Sequence, residues 1–161
     1  MPVLGDEDLR KLLRSCEGHG FEDIRDAALL RVMIETGVRL SEATGLKTTD
    51  VDLDSGELLV LGKGRRRRTV PFGSRTTGAL SRYVEFRDSH PRRARSELWL
   101  SRKGALTASG VAQMLNRRCR DSDIDPITYT SFDTRLLTTG WPLVEAKEMP
   151  CAFSAGDLET C

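Results

Sequence analysis

Only two histidines, His19 and His90, and two tyrosines, Tyr83 and Tyr129, occur in the 161 residues. Two scattered histidines cannot build a histidine-based metal cluster. The four cysteines, Cys16, Cys119, Cys151 and Cys161, include no C-x-x-C pair, which argues against a zinc site. No stretch approaches the roughly 18 apolar residues of a membrane span, and the N-terminus lacks a charged-then-apolar signal segment. The expected compartment is therefore the cytoplasm, with reduced thiols. A net charge is also missing: Lys+Arg 25 against Asp+Glu 24 leaves +1.

That balance hides a split. Residues 1–61 carry a net −6, residues 62–120 a net +13, and residues 121–161 again −6. A strongly basic centre is an electrostatic footprint for phosphate-rich partners, although a solvated basic surface would look the same.

Apolar spacing predicts a helix over Leu4–Cys16, with Leu9, Leu12 and Leu13 on one face and Asp6-Glu7-Asp8 at its N-terminus. A second helix is expected over Glu22–Thr36, its core stripe Ala28, Leu29, Val32 and Met33, with Gly37 as its C-terminal cap. Ser41 is read as the N-cap of a short helix, Glu42–Thr44. Strands follow near Val51–Leu53, over Glu57–Leu61 and over Arg68–Phe72, with Asp54-Ser55-Gly56 as a turn. Ser74–Asp88 reads as a helix with Leu80, Tyr83, Val84 and Phe86 available to bury. A basic loop, His90–Arg95, and a short apolar segment, Leu98-Trp99-Leu100, precede a last helix over Ser109–Cys119, striped by Val111, Met114 and Leu115. Helices, a small antiparallel sheet, then helices again indicate an α+β fold, mainly helical.

Two basic features stand out. Gly37-Val38-Arg39-Leu40-Ser41-Glu42 places an arginine at a helix–helix junction. Gly62-Lys63-Gly64 is followed by Arg65, Arg66, Arg67 and Arg68, then Thr69-Val70-Pro71. A guanidinium donates two parallel hydrogen bonds to a phosphate, and a lysine on a glycine-flanked hairpin can reach a backbone oxygen and give it a proton. Taken singly, Arg39 could be a salt-bridged arginine and the arginine run a solvated hairpin.

In this order, and with the W-L-S-R-K-G and L-T-A-S-G-V segments of residues 99–111, these features closely resemble the tyrosine recombinase (phage integrase) family. The resemblance implies that family's catalytic fold, with a small three-stranded antiparallel sheet, and a double-stranded DNA partner. It also implies metal-free cleavage by a tyrosine nucleophile, without a cofactor. Arg39 matches the first catalytic arginine, which holds the scissile phosphate, and Lys63 the hairpin lysine that protonates the leaving 5′-hydroxyl. DNA contacts are implied at Arg65, Arg66, Arg67 and Arg68, at Arg102 and Lys103, at Thr107 and Ser109, and at Arg117 and Arg118.

The later family positions are missing. Where a His-x-x-Arg box is expected the chain reads Thr130-Ser131-Phe132-Asp133, and no tyrosine follows Tyr129. Cys161 lies roughly where the nucleophile would be sought, but no basic neighbour in the sequence would activate its thiol. The motifs thus stop near Ile127, which divides the chain into an integrase-like part, 1–126, and a divergent tail, 127–161, in which the fold is expected to be degraded. Back-translating the tail and reading from the third base of the Ile127 codon permits a string with a His-x-x-Arg box and a later Gly-Trp. A net one-base frameshift is therefore one expected origin of the tail.

The expected function is that of a DNA-binding remnant of a site-specific recombinase, of prophage or mobile-element origin and catalytically inactive. The alternatives are a non-catalytic DNA-binding or inhibitory module acting with an intact recombinase, and an active recombinase whose residues are misaligned. Family members usually add an N-terminal DNA-binding domain that closes a clamp. This chain begins at the catalytic part, so weak and strongly salt-dependent DNA affinity is expected.

Overall fold

The computed structural model describes residues 4–125. Five helices and one small sheet follow in the order α1 (Asp6–Arg14), α2 (Phe21–Thr36), α3 (Leu40–Thr44), β1 (Val51–Asp52), β2 (Glu57–Leu61), β3 (Arg67–Pro71), α4 (Ser74–Asp88) and α5 (Ala108–Asp121). Both β pairings are antiparallel, in the order β1-β2-β3, with Leu58 opposite Val70 and Leu61 opposite Arg67. The α+β architecture expected from the sequence is the one observed.

Helix α2 is the centre of the molecule. Ten of its sixteen residues are buried, so it is covered on every side rather than along one stripe. It packs on α1, α3 and α4. Gly37 ends it in the left-handed conformation (φ 71°), its N–H donating to the Met33 carbonyl at 3.2 Å. That geometry favours glycine, because a Cβ strains the backbone there. Glu35, near the end of α2, accepts hydrogen bonds from the Gly73 N–H and the Thr76 hydroxyl. A carboxylate from one helix thus caps the start of α4 and also suits its positive dipole end.

The segment Leu98–Leu100 is buried throughout. The Tyr83 hydroxyl donates to the Leu98 carbonyl (2.8 Å) and accepts from the Leu100 N–H (3.0 Å), and its ring stacks on Trp99 at 5.1 Å. The Trp99 indole N–H donates to the Ala43 carbonyl at 2.9 Å, so this apolar segment fastens α4 to α3.

Three sequence expectations change here. The N-cap of α3 is Arg39, not Ser41: Arg39 has extended backbone angles, and its N–H donates to the Glu42 side chain three residues on. Phe86 is 40% exposed, while Arg87, one residue further along α4, is buried at 4%. The Arg87 guanidinium donates to the carbonyls of Arg93, Arg95 and Glu97 in the loop turned against the core, and shares the Leu98 carbonyl with the Tyr83 hydroxyl. Strand β3 starts at Arg67 and ends at Pro71, one residue earlier than the apolar pattern indicates. Among the described residues, no helix is long and apolar enough to cross a membrane.

Candidate nucleic-acid interface

Arg39 stands where α2 turns into α3. Val38, buried to 1%, pins the junction, and Arg39 itself is exposed. Glu42 holds this corner in two directions. Its Oε2 accepts from the Arg39 N–H at 2.8 Å, and its two oxygens accept from Nη1 and Nη2 of Arg68 at 2.8 and 3.0 Å. Arg68 belongs to β3, so a two-pronged ion pair ties the Arg39 corner to the β2–β3 hairpin.

The hairpin turns through Lys63–Arg65, with Gly64 at φ 75° and Arg65 at φ 59°. The Gly62 N–H closes it on the Arg66 carbonyl at 2.8 Å. Gly62 is needed for a different reason from Gly64. A Cβ on Gly62 would lie 2.9 Å from Arg68 Nη1, so the ion pair rests directly on its backbone. Lys63, the next residue, is exposed, as are Arg65, Arg66 and Arg67. Arg68 differs from those three, because its fork is occupied by Glu42; it is a strut between β3 and α3.

The Glu42 carboxyl is held below its usual range, chiefly by the Arg68 hydrogen bonds and further by the Arg39 N–H, against the opposing effect of burial. A depressed carboxyl stabilises the fold above the unfolded-state value and loses that contribution as pH falls through the folded value. NMR titration of the Glu42 side chain should therefore give a midpoint below the ordinary value of about 4.3. Arg68→Gln should move that midpoint upward, because the largest lowering contribution is lost. An unchanged midpoint in Arg68→Gln would show that the pair is not formed in solution.

A second basic surface lies at the entry to α5. Arg102 and Lys103 sit at the tip of the Ser101–Gly104 turn, both exposed. Thr107 caps α5, its hydroxyl accepting from the Gly110 N–H at 3.1 Å, and no acidic residue occupies the first turn. Ser109 is exposed one position into the helix, where backbone N–H groups face outward and favour an anion.

Arg117 and Arg118, paired in the sequence, separate in the structure. Arg117 is half-exposed and reaches Asp26 Oδ2 at 3.3 Å and Glu22 at 3.7 Å. Arg118 is buried at 6%. It donates to Asp26 Oδ2 (3.2 and 2.8 Å), to Asp23 (2.7 Å) and to the Ser15 carbonyl (2.5 Å). Its assignment to the DNA surface is therefore corrected: it is an internal strut between α5 and α2. Nothing local marks it so, since Asp26 lies 92 residues away. Glu42, by contrast, was findable, because an acid three residues after a cap position is a capping signal.

Cys16 is also internal, its thiol pushed up to about 11 by burial, so it offers no nucleophile at neutral pH. Among the described residues there is no group of three His, Cys, Asp or Glu side chains able to hold a metal. Tyr129, Thr130–Asp133 and Cys161 lie outside the described residues.

The model of the phage integrase family matches residues 2–149. The chain belongs to the phage integrase (tyrosine recombinase) family. A tyrosine recombinase XerC of Chlorobaculum tepidum is 37% identical over 141 residues, covering 80% of this chain and 42% of the relative. A tyrosine recombinase XerD of Listeria innocua is 33% identical over 158 residues, covering 91% and 52%. Among solved structures, the XerA recombinase superposes with a TM-score of 0.71 at 28% identity, covering 82% of this chain and 48% of that one. The XerH recombinase in a post-cleavage complex with its difH substrate gives 0.67 at 25%, covering 81% and 39%. The chain thus spans about half the length of the relatives it matches. The tyrosine recombinase match also runs past Ile127, where the recognisable motifs stop.

Proposed function

We propose that this chain binds duplex DNA as a recombinase catalytic core that has kept the first half of the active-site set and lost the second. The supporting observation is the Glu42–Arg68 pair, which joins the Arg39 corner to the Lys63 hairpin and leaves both cationic side chains exposed at one connected piece of structure. An arginine fork and a lysine ammonium carried on one connected piece of structure suit a phosphodiester and its leaving oxygen. The XerH relative, solved with its DNA substrate, supports DNA as the partner.

Cleavage needs more than these two groups. Removing one preorganised donor from such a site typically costs on the order of 10²–10³ in rate, and residues 130–133 supply neither the histidine nor the arginine of the later box. The family match through residue 149 weighs toward an in-frame, diverged tail and against a shifted one. The gene's nucleotide sequence decides: codons that spell no His-x-x-Arg box in the shifted frame discard the frameshift.

A labelled duplex with a nicked site tests the proposal. The expected result is a salt-sensitive gel shift with no covalent adduct. A protein–DNA adduct that survives denaturation would overturn the inactivity, and the absence of any shift at low salt would overturn the DNA binding.

A further inference from the structure

Beside the α2 N-terminus lies an open cleft of about 400 Å³, its lining including Phe21, Glu22, Asp23, His90, Arg102 and Arg117. Arg102 comes from the Ser101–Gly104 turn and Arg117 from α5, yet both converge on the single carboxylate of Glu22, at 3.5 and 3.7 Å. These are loose contacts between exposed groups: the Arg102 side chain is 89% exposed and that of Arg117 47%. Exposed pairs of this kind are worth about 1 kcal/mol at most and exchange readily for another anion. The floor beneath them is fixed. Arg25 and Arg118 are both committed to Asp26, and Arg117 keeps Nη2 on the same carboxylate while its Nη1 faces Glu22.

We propose that Arg102 and Arg117 form a seat for a phosphate-class anion, the DNA backbone being its source, and that Glu22 is its internal occupant in the free protein. This deepens the DNA-binding reading and rests on it. Ser109, Gln113 and Arg117 are exposed at four-residue intervals along α5, so they line one face over about 12 Å. A strand lying against Ser109 at the helix start is thereby continued to Arg117. Phosphate replaces the Glu22 carboxylate as a partner for both guanidinium groups, and Glu22 turns out to solvent. The carboxylate therefore opposes binding to a degree that depends on salt, because both the internal pair and the external contact are screened.

The test compares the wild-type chain with Glu22→Gln, with Glu22→Gln/Arg117→Gln, and with Glu85→Gln, which removes one exposed acid from α4, away from the cleft. Duplex binding is read by anisotropy across a salt series. Glu22→Gln is expected to bind about fivefold tighter than wild type, with a salt slope steeper by up to about one unit. Glu85→Gln should stay within about twofold of wild type, and the double variant should lose the gain. Binding by Glu22→Gln no tighter than by Glu85→Gln overturns the seat. Inorganic phosphate, titrated while the Arg102 and Arg117 side-chain NMR signals are followed, reads the seat without DNA. Shifts at both arginines with no duplex binding by any variant would retain an anion seat and sink its DNA source. No shift at either arginine overturns it outright.

Discussion

Asp26→Ala is expected to cost about 3–5 kcal/mol of folding stability, against a total of about 5–15 kcal/mol for a domain of this kind. Asp26 is fully buried and its two oxygens serve three arginines. Oδ1 accepts from Nε and Nη2 of Arg25 at 2.9 and 2.7 Å, and Oδ2 accepts from Arg118 and Arg117. Arg25 and Arg118 are themselves 4% and 6% exposed. Removing the carboxylate leaves the buried Arg25 guanidinium without its carboxylate partner and Arg118 with Asp23 alone, which is the expensive way to break a buried pair. Asp26→Asn keeps the shape and one acceptor, and is expected to fall between wild type and alanine. Urea unfolding followed by circular dichroism reads this as a fall in midpoint at constant slope. A loss under about 1 kcal/mol for the alanine variant would show that the cluster is solvated or rearranged in solution.

The second large effect is on DNA. Changing Arg65, Arg66 and Arg67 together to glutamine should flatten the salt dependence of duplex binding by about 2.7 units, at about 0.9 per phosphate contact, and weaken binding on the order of 10²-fold or more at 0.1 M salt. All three side chains are exposed on the hairpin turn and the strand it enters, so the fold should survive the change. Arg68→Gln alone provides the contrast. Its fork is filled by Glu42, so its loss should loosen the hairpin on α3 with little change in slope. Equal slope changes per residue at Arg68 and at its three neighbours would contradict the strut assignment.

These two predictions mark what was legible in the sequence. The apolar stripes of α1 and α5 and the cap at Gly37 follow from local spacing and are found as read, whereas α2 buries six residues beyond the four of its expected stripe. The basic hairpin was legible too, as a run. What spacing could not show is which arginines of a basic stretch turn inward. Arg87 and Arg118 occupy helix faces beside Tyr83 and Leu115, and an apolar tally passes over them. Their burial depends on acceptors from elsewhere in the chain: the carbonyls of the loop after α4 for one, and Asp23 and Asp26 of α2 for the other. Residue type puts the cap of α3 two residues too late, because Ser41 is a better cap by type than Arg39. The Glu42 side chain reverses that preference by satisfying the Arg39 N–H itself.

The distance in sequence between Asp26 and Arg118 also bears on how the chain is made. The arginine of α5 that joins Arg25 on the buried carboxylate of α2 is synthesised 92 residues after it. At about 5–20 residues per second, that interval is roughly 5–20 s. During it Asp26 has only Arg25 nearby in the chain, so a nascent α2 keeps this side open to water. The Asp26 cluster can be completed only once α5 has been made.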